Sequence, residues 1–213
     1  MFLKKLFAAL FAVSVVSAGA GTIVGSAHDF SGQAWSPNAQ TCVACHAPHA
    51  TAVLADAPLW NHASSVATYT VYASSSMNAT VGQPGSTSKL CLSCHDGTVA
   101  VNSFGGVTGT TMLTGGSNLS TVLTNDHPIG FTYDAALVTA DGALAPITNT
   151  VTLGSGTKVK SGPTVTIASA MLYAGKVECA SCHDVHNTFT AATGKLVKVS
   201  MASSALCTTC HTK

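Results

Sequence analysis

One repeated pattern takes up every cysteine in this sequence, and no other feature constrains the fold as much. The eight cysteines form four copies of Cys-x-x-Cys-His: Cys42-Val-Ala-Cys45-His46, Cys91-Leu-Ser-Cys94-His95, Cys179-Ala-Ser-Cys182-His183 and Cys207-Thr-Thr-Cys210-His211. Two thiols three positions apart, followed at once by an imidazole, have the spacing of c-type haem attachment. The thiols reach the two vinyl groups on one porphyrin edge as thioethers, and the next residue sits under the iron as its proximal ligand. Cys-x-x-Cys also builds zinc knuckles, redox disulfides and structural bridges. None of those explains a His directly after the second Cys in all four copies. The expectation is four covalently attached haem c groups, held by Cys42, Cys45, Cys91, Cys94, Cys179, Cys182, Cys207 and Cys210, with His46, His95, His183 and His211 as proximal iron ligands.

Five histidines remain for the opposite faces of four irons: His28, His49, His62, His127 and His186. His49 and His186 each follow a proximal His by three positions. On one helical turn such side chains point the same way, whereas the axial ligands of one iron approach from opposite sides. Each is therefore expected to serve a neighbouring haem. His127 precedes Pro128, which favours an extended backbone and a ligand presented from a loop. His28 and His62 complete the candidate set, and one of the five is surplus. Methionine is the alternative axial group, but with histidine so plentiful Met77, Met112, Met171 and Met201 are expected to be packing residues.

The N-terminus reads as a leader over 1–20. Lys4 and Lys5 precede an apolar stretch from Leu6 to Val16, and small residues follow at Ser17-Ala-Gly-Ala20, with cleavage after Ala18 or Ala20. That stretch is shorter than the roughly 20 residues a membrane helix needs, so no membrane span is expected. Disulfides usually take the thiols of exported chains, which further weakens zinc and thiol-redox readings. Charged residues are only 8% of the chain. All the basic residues are Lys, so the guanidinium fork that reads bases and phosphates is missing and nucleic acid is not an expected partner. Without the leader, seven Lys face eight acids. Haem propionates would then make the loaded protein acidic.

The rest of the chain, 21–213, is expected to form one tetrahaem domain. Its fold class is that of a multihaem cytochrome c: mostly coil, with short helices at the Cys-x-x-Cys-His motifs and a few short strands, organised around a stack of four haems. The stretch 101–175 is rich in Ser, Thr and Gly and carries no motif. A hairpin over 151–159 and a strand over 163–167 are expected within it. The first and third motifs carry the extra His and the second and fourth do not, which suggests a duplicated two-haem unit.

These features resemble the multihaem cytochromes with a doubled CxxCH motif and, more closely, the tetrahaem OmcE-type extracellular cytochrome filaments. The likeness is carried by Gly25-Ser-Ala-His28-Asp-Phe-Ser31, Cys42 to His49, Pro58-Leu-Trp-Asn-His62, Lys89 to Ala100, Asp126-His-Pro-Ile-Gly-Phe131 and Val177 to Asn187. The resemblance implies bis-histidine haems in a continuous stack and an electron-conducting homopolymer at the cell surface. It also implies that a histidine of one subunit, His28 or the surplus one, ligates a haem of the next. Redox partner proteins or an extracellular acceptor complete the implied set of partners. Two other functions fit the same motifs. One is a monomeric periplasmic tetrahaem carrier. The other, a multihaem oxyanion reductase, needs one iron left open; no Cys-x-x-Cys-Lys variant signals it and the histidines suffice to close every iron. Electron transfer rather than enzymatic catalysis is the expectation.

Overall fold

The computed structural model describes residues 23–49, 52–54, 57–154, 165–188 and 195–212. The expected leader lies outside these residues, as do positions 155–159 of the expected hairpin and 163–164 of the strand after it.

The chain is mostly turns and coil, as expected, tied by two small antiparallel ladders. Strand β1 (Ala52–Leu54) pairs with β2 (Ala57–Trp60), and β3 (Phe131–Thr132) pairs with β4 (Lys176–Val177) in the register Phe131↔Val177. Five helices are described: α1 (Ser86–His95), α2 (Ala135–Asp141), α3 (Ile167–Met171), α4 (Cys179–Cys182) and α5 (Ala205–Cys210). Three of them carry motifs. The first motif is not on a helix but on an isolated turn, in which the His46 N–H donates to the Cys42 carbonyl at 2.9 Å.

The two helices away from the motifs have local causes. Asp134 caps α2 by accepting from the Leu137 N–H at 2.9 Å, and Gly142 closes it with φ of 70°, a left-handed conformation that glycine adopts at no steric cost. At α3, Thr166 and Ser169 cap each other reciprocally, the Ser169 N–H reaching Thr166 Oγ1 at 3.2 Å and the Thr166 N–H reaching Ser169 Oγ at 2.9 Å. The strand expected over 163–167 is thus overturned at its C-terminal end. Thr166 makes one bridge to Thr150, and the chain then turns helical at Ile167 because Ser169 completes the capping box.

The Ser/Thr/Gly-rich stretch 101–175 also has a packing role. It supplies most of the main apolar core: Phe131, Tyr133, Leu137, Ala145, Val151, Leu153, Ile167 and Met171 pack together with Val177 and Val199. A smaller cluster joins Tyr69 and Leu123 to Leu92 of α1. Met171 is a core residue, as expected. Met112 and Met201, expected to pack, are instead exposed.

Candidate functional site

The four motifs present their histidines in one way. Each closes a turn on its own first cysteine: besides His46, the N–H of His183 reaches the Cys179 carbonyl at 3.0 Å and that of His211 reaches the Cys207 carbonyl at 2.9 Å, while His95 ends α1. After α4 and α5 the backbone becomes extended at His183 and His211, which swings each ring off the helix end. A backbone carbonyl then fixes the ring. Nδ1 donates to Pro58 O from His46 at 2.9 Å, to Ser117 O from His95 at 2.7 Å, and to Lys195 O from His183 at 2.9 Å. A carbonyl only accepts, so Nδ1 carries the proton and the Nε2 lone pair is left for a metal.

Three of these rings face a second histidine. His46 lies 6.2 Å from His186 between ring centroids, His95 lies 6.0 Å from His28, and His211 lies 6.4 Å from His127. Two imidazoles on opposite sides of one metal, each bonded at about 2.0 Å, place their centroids roughly 6 Å apart. The donors are gathered in pairs only: among the described residues no group of three or more His, Cys, Asp or Glu is arranged for a metal ion. A pair suits haem, whose own ring supplies four more nitrogens, and does not suit structural zinc.

The partnerships refine the expectations for individual residues. The helical turn assumed for His183 and His186 is absent, because α4 ends at Cys182 and a turn closed by the Asn187 N–H on Asp184 O follows. His186 nonetheless faces the first motif's histidine rather than that of its own motif. His127 is fixed by Nδ1 donation to Pro128 O at 3.0 Å. Its loop passes Gly130, where φ is 80° and a Cβ would stand 2.8 Å from Gly82 O, so only glycine fits there. His28 is paired inside its own chain. Burial first, then the nearby His95, His183 and His186, push its pKa down to about 4, which keeps the ring neutral. His62 is buried, with Nδ1 2.7 Å from Ala63 O and Nε2 3.1 Å from Ala100 O. A neutral ring carries one N–H and so donates to one of these two carbonyls, and Nε2 also lies 3.5 Å from Cys94 Sγ. His49 and His183 are exposed, and no ring contact joins either to another histidine.

The cysteines order the motifs in space. No disulfide joins any of the eight cysteines. Cys45 lies near Cys94, α1 and α4 bring the second motif against the third, and Cys182 lies near Cys207 and Cys210. The motifs thus follow one another in chain order, with α1 packed on α4 at the middle junction. Burial pushes the Cys45 thiol up to about 11 and the Cys94 thiol up to about 12, which marks both as set inside the protein.

Two buried carboxylates support the motifs, and sequence reasoning did not single out either. Glu178, directly before Cys179, accepts from the Gly85 N–H at 3.1 Å and from the Ser88 hydroxyl, and so fastens the start of α1 to α4. Asp96, directly after His95, accepts from Tyr69 Oη at 2.7 Å, from the Thr98 N–H at 2.8 Å and from Ser65. Burial opposes its charge, but these donors together outweigh burial and hold its carboxyl below the usual range. The available signal was position, an acid abutting a motif in a chain with so few charges. Among the described residues, three buried polar atoms have no hydrogen-bond partner, His28 Nδ1, Trp35 Nε1 and Trp60 Nε1. Two of these residues lie beside the first two motifs, where His46 bridges Trp60 and His28 faces His95. A buried polar atom without a partner is costly, so these groups fit a site completed by a polar prosthetic group.

Residues 172–213, which hold the third and fourth motifs, match the family described as doubled CXXCH motif. No curated protein matches the chain. The family match supports multihaem c-type cytochrome character, and the motifs mark covalent attachment of haem c. No helix among the described residues is long and apolar enough to cross a membrane.

Proposed function

We propose that this protein carries electrons through four covalently bound bis-histidine haems and does so as a subunit of an extracellular filament. The observation that carries the reading is the recurrence of one geometry: three proximal histidines each face a second histidine at close to 6 Å, on motifs that adjoin in chain order. Haem iron supplies a one-electron couple between iron(III) and iron(II). The protein's own part is to hold the rings of His46, His95, His183 and His127 by their Nδ1 bonds and to close the axial positions. Closed positions leave no place for an oxyanion, which favours a carrier over a reductase.

His62, buried against backbone and with its ring against Trp60 rather than a motif histidine, is the surplus histidine in this reading. The remaining partner for His183 is His49, and the exposure of both suits a bond made between neighbouring subunits. His28, committed to His95, is not the bridging residue. The surface position of Cys207 and His211 also suits a fourth haem that meets the next subunit.

Electron microscopy of purified holoprotein tests the assembly: thin filaments are expected, and discrete small particles alone would favour the periplasmic carrier. Haem stoichiometry and spectra test the site. Four haems per chain, all low-spin and without a methionine-to-iron charge-transfer band, are expected. His186→Ala should turn one iron in four high-spin, and that iron should be the one attached at Cys42 and Cys45. Electron paramagnetic resonance of the variant reads the change, and an all-low-spin spectrum would refute the His46–His186 pairing.

A further inference from the structure

Lys198 is a buried charge that haem attachment leaves unexplained. Its side chain is 7% exposed, within a segment, 196–199, that is buried throughout. Lysine is almost never buried this far without a counter-charge, yet among the described residues no carboxylate pairs with it. Nζ donates to Ala170 O and to Tyr173 Oη, each at 2.9 Å, and sits 4.9 Å from the centre of the Tyr173 ring. Neutral oxygens and an aromatic face stabilise an ammonium without cancelling its charge.

That charge lies against the third motif. The Lys198 backbone N–H donates to Cys182 O at 2.8 Å, and the preceding residue, Val197, bridges His183. At the other end of α4 the buried Glu178 carboxylate, directly before Cys179, accepts from the Gly85 N–H at 3.1 Å and from the Ser88 hydroxyl. The third motif therefore has a buried anion at the start of α4 and a buried lysine on the segment that bonds its end.

We propose that Lys198 sets the potential of this motif: its ammonium holds the haem attached at Cys179 and Cys182 at a higher reduction potential than a neutral side chain would. This rests on the reading of the third motif as a haem site. Reduction adds an electron, a nearby cation favours the reduced form, and burial weakens the screening between them. Lys198 touches neither iron nor its ligands, so it acts as a positioning residue through its field alone. With Glu178 opposite, the field favours electron flow from the second motif toward the third.

The test is a spectroelectrochemical titration of loaded protein, in which an electrode supplies one electron to each iron(III) and yields iron(II). Lys198→Met keeps the apolar stem, Lys198→Gln keeps a donor for Ala170 and Tyr173, and Lys198→Arg keeps the charge. In the Met and Gln variants one of the four steps should move down. At the wild-type midpoint of that step, the reduced-to-oxidised ratio should fall about tenfold, or about 59 mV for a one-electron couple. Lys198→Arg should titrate close to wild type. Fully loaded Met or Gln variants with unchanged steps would overturn the proposal. So would failure of both neutral variants to load while the Arg variant loads, since the ammonium would then be a structural anchor. Wild-type protein whose third motif carries no haem would instead overturn the reading of that motif.

Discussion

Protein in which Cys91 and Cys94 are both replaced by alanine is expected to lose one haem and its fold together, whereas the same change at Cys207 and Cys210 should remove one haem and leave the rest folded. The difference follows from where the two helices sit. On α1, Leu92 is 1% exposed and belongs to the Tyr69–Leu123 cluster, while Ser88 and Ser93 are fully buried. The Ser88 hydroxyl accepts from the Cys179 N–H at 2.9 Å, so α1 also orders the start of the third motif. On α5 no residue is fully buried, and Cys207 is exposed. Losing a macrocycle beneath α1 opens a void in the centre of the molecule, where large-to-small changes alone cost about 2–5 kcal/mol. Losing one beneath α5 uncovers an end. Intact-protein mass and limited proteolysis read the two outcomes: one haem fewer in each variant, with protease resistance kept only in the α5 variant. Equal resistance in both would contradict the central placement of α1.

The second large effect is expected at Glu178. Glu178→Ala removes the only carboxylate that receives the Gly85 N–H and Ser88 hydroxyl among the described residues, leaving buried donors at the junction of α1 and α4. Leaving a buried donor without its partner costs about 1–3 kcal/mol, and two such donors are left here, so the loss should exceed the roughly 1 kcal/mol of an ordinary hydrogen bond. Glu178→Gln keeps an acceptor and should cost clearly less. Denaturant unfolding of loaded protein measures both, and equal, small losses would show that the Gly85–Glu178 link is not a principal tie between the helices.

The motif chemistry was legible in the sequence because covalent attachment fixes residue types and spacing together. Much of the fold was not. Short helices were expected mainly at the motifs, yet α2 and α3 form where Asp134 with Gly142, and Thr166 with Ser169, happen to cap a single turn or two. Such signals are weak beside a β-rich composition such as Val165-Thr-Ile167. The core formed by the 101–175 stretch was hidden for a related reason. Its apolar residues are spaced irregularly between Gly, Ser and Thr, so no period of 2 or 3.6 announces a core, although Phe131, Tyr133, Ile167 and Met171 converge in space. Histidine pairing lay beyond sequence altogether. His28 and His95, or His127 and His211, are brought together only by loops whose paths no local pattern encodes. Glu178 and Lys198 were visible as rare charges next to motifs, but not as buried ones.

The junction of α1 and α4 also dictates an order of events in biogenesis. Cys91 and Cys179 belong to attachment motifs, and the two motifs meet where α1 packs on α4 and the Cys179 N–H donates to Ser88 Oγ at 2.9 Å. A macrocycle cannot be brought edge-on to either pair once those helices have closed, and in an oxidising compartment two neighbouring thiols left bare can cross-link to each other. Loading must therefore precede folding at this junction. Secretion of the chain faster than haem is supplied should then leave a dead-end product stapled between its second and third motifs.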